Sequence, residues 1–137
     1  MQMNFVSIRV VTDDIKRLVA FYEQVTDTTA TWSTPDFAEI GTGLGTVAIG
    51  STRTLAAFSG SDLRPADNRS LIIEFLVDDV DQQFARLNSV ITPIQPPTTM
   101  PWGNRSLLFR DPDGALVNLF TPVSDAAIAR FASRRRP

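Results

Sequence analysis

The chain carries one pattern twice. Phe5-Val6-Ser7-Ile8-Arg9-Val10-Val11-Thr12-Asp13-Asp14-Ile15 is echoed by Ser70-Leu71-Ile72-Ile73-Glu74-Phe75-Leu76-Val77-Asp78-Asp79-Val80, at an offset of 65 residues fixed by the Asp-Asp pairs. Such a repeat restricts the fold more than composition does. Each copy must be one supersecondary unit, and a unit of about 60 residues rarely buries enough surface alone. Each copy has an apolar strand-like run, two aspartates, then a helical pattern. Ile15, Leu18, Val19 and Tyr22 fall on one helix face, as do Val80, Phe84 and Leu87. Aspartates in front of a helix cap its free N–H groups and meet the positive end of its dipole. They are read here as caps and not as a catalytic carboxylate pair.

Strand and turn signals come after each helix. Phe37 to Gly41, the turn Thr42-Gly43-Leu44-Gly45 and Thr46 to Gly50 form one expected hairpin; Asn104 to Arg110, Asp111-Pro112-Asp113-Gly114 and Ala115 to Phe120 form the other. Less regular strands are expected near Ala30 to Ser33 and Val90 to Ile94. The predicted fold is α+β: two tandem βαβββ modules forming an eight-stranded curved sheet around a cup, with helices on the outer face. One domain spans residues 1–137, with modules at about 3–51 and 70–123, a linker at about 52–69 and a tail at 124–137. Leu55 to Phe58 reads as a short helix or an extra strand, and Asp125 to Ala132 as a short helix capped by Ser124. The glycines from Gly41 to Gly45 precede a strand and lack a lysine, so they read as hairpin chemistry and not as a phosphate loop.

Composition then narrows the function. The chain is 43% apolar and 20% charged, normal for a globular domain, and its net charge of −2 leaves no footprint for nucleic acid. There is no cysteine and no histidine, which removes thiolate zinc sites, cysteine nucleophiles and the commonest metal ligand and general base. The expected cofactor is none. No secretory pattern and no spanning apolar run are present, so a cytoplasmic protein without a membrane partner is expected. Arg134-Arg135-Arg136 reads as a solvated tail.

Three pieces in order, on top of the repeat, resemble the vicinal oxygen chelate superfamily, which includes glyoxalase I, extradiol dioxygenases and bleomycin resistance proteins. They are Ile8 to Arg17 running into Phe21-Tyr22, Phe75 to Asp81, and Pro101-Trp102-Gly103-Asn104-Arg105-Ser106 ending in Phe109 to Gly114. The likeness covers Met3 to Val123. In metal-dependent members the inner strands carry His, Glu or Gln ligands. The resemblance places those positions at Ser7 and Ile72, and, counted from the turn glycines Gly45 and Gly114, at Ile49 and Asn118. Two aliphatic groups and two weak neutral ones do not repay the dehydration of a divalent ion. No metal is therefore expected.

Strand alternation points Phe5, Ser7, Arg9, Val47, Ile49, Ile72, Glu74, Leu76, Leu116, Asn118 and Phe120 into the cup. Arg9 and Glu74 occupy matching places. They form a structural ion pair, sit exposed at the cup mouth, or orient a polar ligand; Arg9 suits a carboxylate or phosphate. Trp102 stands between strands, as a stacking platform for a planar ligand or as a core or dimer contact, with Asn104 beside it as a ligand hydrogen-bonding group. The direction of Trp32 is ambiguous. The functional expectation is a metal-independent binder of an aromatic or hydrophobic small molecule, working as a homodimer. The alternatives are a cofactor-free isomerase or lyase with Glu74 as general base, and a non-catalytic structural or partner-binding dimer with a filled cup.

Overall fold

The computed structural model describes residues 2–58 and 62–134. The chain divides into two units, at Asn68 and Arg69. Arg135 and Arg136 of the basic tail lie outside the described residues.

The first unit contains β1 (Ser7–Thr12), α1 (Ile15–Thr26), β2 (Thr31–Thr34), β3 (Phe37–Gly41) and β4 (Thr46–Ser51), followed by a 3-10 helix, Thr52–Ala57. The second contains β5 (Ile72–Leu76), α2 (Val80–Leu87), β6 (Pro93–Thr99), β7 (Asn104–Arg110), β8 (Leu116–Pro122) and α3 (Asp125–Phe131). Each is a four-stranded sheet with the same order: β1-β4-β3-β2 in one and β5-β8-β7-β6 in the other. The first strand runs parallel to the last, which the intervening helix makes possible, and the other pairings are antiparallel hairpins. The two βαβββ modules read from the repeat are thus present.

The caps act as the sequence requires. Asp14 accepts a hydrogen bond from the Arg17 N–H and Asp79 from the Gln82 N–H, each closing one orphan donor of the first turn. α1 packs on β3 and β4. Its apolar stripe of Ile15, Leu18, Val19, Tyr22 and Val25 is buried. Strand register identifies the sheet face it covers: Ile8 and Val10 align with Val47 and Ile49, which align with Ile40 and Ala38. That row is wholly apolar, and Ala38, Ile40 and Ile49 are fully buried. In the second unit, Ile73, Val117, Leu119, Leu107 and Phe109 form the corresponding row against α2. Arg105 lies on that side too and grips Asp81 of α2 at 2.7 and 3.0 Å. The edge strand β6 carries Pro93, Pro96 and Pro97 with two register shifts, which an edge tolerates because a missing N–H there costs no ladder bond.

Candidate functional site

Each sheet has a second face, opposite its long helix, where the residues of mixed polarity lie. In the first unit this open face carries Ser7, Arg9 and Val11 on β1, Thr46, Ala48 and Gly50 on β4, and Phe37 and Glu39 on β3. In the second it carries Ile72, Glu74 and Leu76 on β5, Leu116, Asn118 and Phe120 on β8, and Ser106 and Leu108 on β7.

The register corrects one expected site residue. Ile49 pairs with Val10 and Ala38 on the face beneath α1 and is 0% exposed, so it cannot meet a ligand on the open face. Val47 shares that buried face. Counting from the turn glycines misleads because the loops differ by one residue. Four residues, Thr42 to Gly45, join β3 to β4, whereas five, Asp111 to Ala115, join β7 to β8. Asn118 pairs with Glu74, and Arg9, the repeat counterpart of Glu74, pairs with Ala48. The counterpart of Asn118 is therefore Ala48. The four positions read Ser7, Ala48, Ile72 and Asn118, a set with one hydroxyl, one carboxamide and no charge. These residues do not fit a divalent ion.

Glu74 and Asn118 form a unit of their own. The Asn118 Nδ2 group donates to Glu74 Oε2 at 2.9 Å. The Asn118 Oδ1 atom is buried and has no hydrogen-bond partner among the described residues. Glu74 is exposed, and Ile72 beside it is 47% exposed. Arg9 finds its partners within its own unit. Its guanidinium lies over the Phe37 ring at 4.4 Å and the Phe58 ring at 5.3 Å.

Phe58 reaches Arg9 because the linker folds back. Ser51 caps the 3-10 helix by accepting from the Arg53 N–H, and Asp36 takes hydrogen bonds from Ser51 Oγ at 2.8 Å and Arg53 Nε at 2.6 Å. These bonds, the Ser51 hydroxyl first and Arg53 second, hold the Asp36 carboxyl below its ordinary pKa. Thr54 then lies against Gly50 on the open face so closely that a Cβ there would meet its Oγ1 at 2.8 Å. Phe37, Phe58 and Ala48 are not among the residues that the sequence singles out. Matching hairpins by loop length, and not by glycine position, finds Ala48; alternation from Phe37 along β3 finds the ring beside Arg9.

The second unit closes part of its open face. Phe120 is buried, and its ring packs edge-on against Phe131 of α3 at 5.1 Å. Asn104, also buried, has an unpartnered Oδ1 among the described residues. Gly103, at φ +92°, admits no Cβ because Ser124 and Ala127 occupy that space. The expected ligand contacts Asn104 and Phe120 are therefore placed on the part of the face that α3 approaches. Trp102 is the third residue of the Met100–Gly103 turn and is 63% exposed. Trp32 aligns with Ala38, which directs it to the helix side of sheet one. Tyr22 is fully buried in the core. In Arg105–Asp81, the guanidinium lowers the Asp81 pKa and its own rises, so this pair ties β7 to α2. Among the described residues no helix is long and apolar enough to cross a membrane.

Two βαβββ modules with corresponding positions on β1, β4, β5 and β8 define a vicinal oxygen chelate scaffold. Residues 4–119 match the Glyoxalase/Bleomycin resistance protein/Dioxygenase superfamily, and the chain belongs to it. It is 25% identical over 125 residues to the uncharacterized protein YraH of Bacillus subtilis (strain 168), covering 86% of this chain and 98% of that protein. A glyoxalase/bleomycin resistance protein/dioxygenase from Nocardioides shares the fold with a TM-score of 0.76 at 20% identity, covering 91% of this chain and 87% of that one. A glyoxalase/bleomycin resistance protein/dioxygenase family enzyme from Burkholderia phytofirmans PsJN does so with a TM-score of 0.70 at 20% identity, covering 85% and 97%.

Proposed function

We propose that this chain binds a small organic molecule on the open faces of its sheets, without a metal ion. The observation that carries this reading is the donor set. Where metal-dependent members hold ligands, this chain has Ser7, Ala48, Ile72 and Asn118: a buried Ala48, an exposed apolar Ile72 and two neutral polar groups. That is the usual make-up of a small-molecule site. The unpartnered Asn118 Oδ1 supports it further, because a buried acceptor without a donor costs about 1–3 kcal/mol, which a ligand N–H or O–H, or a bridging water, recovers.

Intrinsic tryptophan fluorescence tests the reading, since Trp32 and Trp102 are both partly exposed. A panel of aromatic natural products and small carbonyl compounds is titrated in the presence and absence of EDTA. The expected result is a saturable change with at least one compound, identical with and without chelator. Trp102→Phe shows which indole reports. A response that needs an added divalent ion overturns metal independence, and silence across the panel overturns small-molecule binding.

A further inference from the structure

We propose that Arg9 is an oxyanion subsite, so that the bound molecule is an apolar compound carrying a carboxylate or phosphate. This rests on the small-molecule reading above and names the chemistry that reading leaves open.

Arg9 contacts aromatic rings and no hydrogen-bond acceptor of its own unit among the described residues. A guanidinium over an aromatic ring offers its face to the π cloud and keeps its N–H donors in the plane of the group. Arg9 has two such rings, Phe37 at 4.4 Å and Phe58 at 5.3 Å. Within the first unit, no described carboxylate or carbonyl accepts a hydrogen bond from it. Glu39 shares the open face but stands beyond Ala48, two strands away, and makes no ion pair with Arg9. The planar fork of donors matches a carboxylate or a phosphate, two bonds at a time.

The rings are held, which is what distinguishes a built position from a surface arginine covering a stray phenyl group. Phe37 is fixed by β3. Phe58 is the residue after the 3-10 helix, and its N–H donates to the Leu55 carbonyl. That helix is clamped at its start by Asp36, Ser51 and Arg53. Its close approach to the sheet needs the missing side chain at Gly50. Val11, half-buried, supplies apolar surface on the same face for the body of the ligand, while Ala48 on that face is buried. Phe58, 42% exposed, keeps part of its ring available as well.

The test uses the full chain labelled with 15N and three probes of one shape: benzoate, phenyl phosphate and benzamide. The Arg9 Nε–Hε resonance is assigned as the one missing in Arg9→Lys. It is expected to move saturably with benzoate or phenyl phosphate and to stay in place with benzamide; which anion acts shows whether the group is carboxylate or phosphate. Arg9→Gln is expected to weaken that anion by about tenfold, the loss of one bidentate charged pair. Phe58→Leu is expected to weaken it by a smaller factor with the fold unchanged in the amide spectrum. If neither anion moves Arg9 while neutral compounds still perturb tryptophan, the oxyanion subsite falls and the binding reading stands. Equal shifts at every exposed arginine also overturn the subsite. Silence with every compound in both experiments overturns both.

Discussion

The two modules share strand order, helix caps and register, and they differ in how the chain continues past the last strand. Gly50 and Phe120 hold the same place: each pairs with the third open-face residue of the parallel strand, Val11 or Leu76. After Gly50 the chain turns through a short 3-10 helix that lies close because position 50 has no side chain. After Phe120 it enters α3, and Phe131 seats on the Phe120 ring. One module ends in a clamp that stations Phe58 beside an exposed arginine. The other ends in a plug of packed aromatic rings. A duplicated scaffold thus ends its two modules differently: the 3-10 helix closes on Gly50 and leaves Arg9 exposed, whereas α3 turns Phe120 into core.

The largest effect is expected where the plug is cut. Phe131 is 8% exposed, so Phe131→Ala should cost about 3–5 kcal/mol, through lost burial and the cavity left over Phe120. Phe58→Ala, at a residue 42% exposed, should cost below about 1 kcal/mol and act on ligand binding instead. Urea unfolding of both variants checks this. Equal losses would erase the distinction between plug and clamp.

A finer effect is expected at Gly50. A methyl group there collides with Thr54 Oγ1, and moving that atom disturbs its 2.8 Å bond to the Ser51 carbonyl. Gly50→Ala should destabilise by about 1–2 kcal/mol in an otherwise native chain. In a Thr54→Ala background the same change should be near neutral, because the reduced freedom of the unfolded chain then offsets what remains. A double-mutant cycle by denaturant midpoint measures the coupling. Additive losses would show that the 3-10 helix does not depend on this contact.

The difference between modules is only half legible in the sequence. The repeat, the caps Asp14 and Asp79, and the strands β3 and β7 are readable because periodicity and capping are local signals. The misplaced Ile49 shows the limit: strand period is two, so a one-residue error in loop length moves a side chain to the opposite face. Phe58 sits in a stretch that reads as linker, because its role depends on Gly50 lying under Thr54, a contact made by folding. The Phe120–Phe131 packing is hidden for the same reason. A short apolar stripe on α3 does not say which face of which sheet it covers.

The smallest expected effect separates the modules by the physics of their ion pairs. Asp36 and Asp81 both have carboxyls held below the ordinary 3.8. A depressed folded-state pKa adds stability that is present above the unfolded value and lost as pH falls through the folded one. Urea midpoints should therefore decline from about pH 5 downward, and Asp36→Asn or Asp81→Asn should each flatten that decline slightly, since exposed pairs contribute little. The leading cause at Asp36 is a hydrogen bond from the neutral Ser51 hydroxyl, whereas at Asp81 it is the Arg105 guanidinium. Salt screens charge more than it weakens a neutral donor. Raising ionic strength should shrink the Asp81→Asn effect more than the Asp36→Asn effect. An equal response to salt would mean that Arg53, and not Ser51, governs Asp36, and the clamp of the first module would then be an ordinary surface ion pair like that of the second.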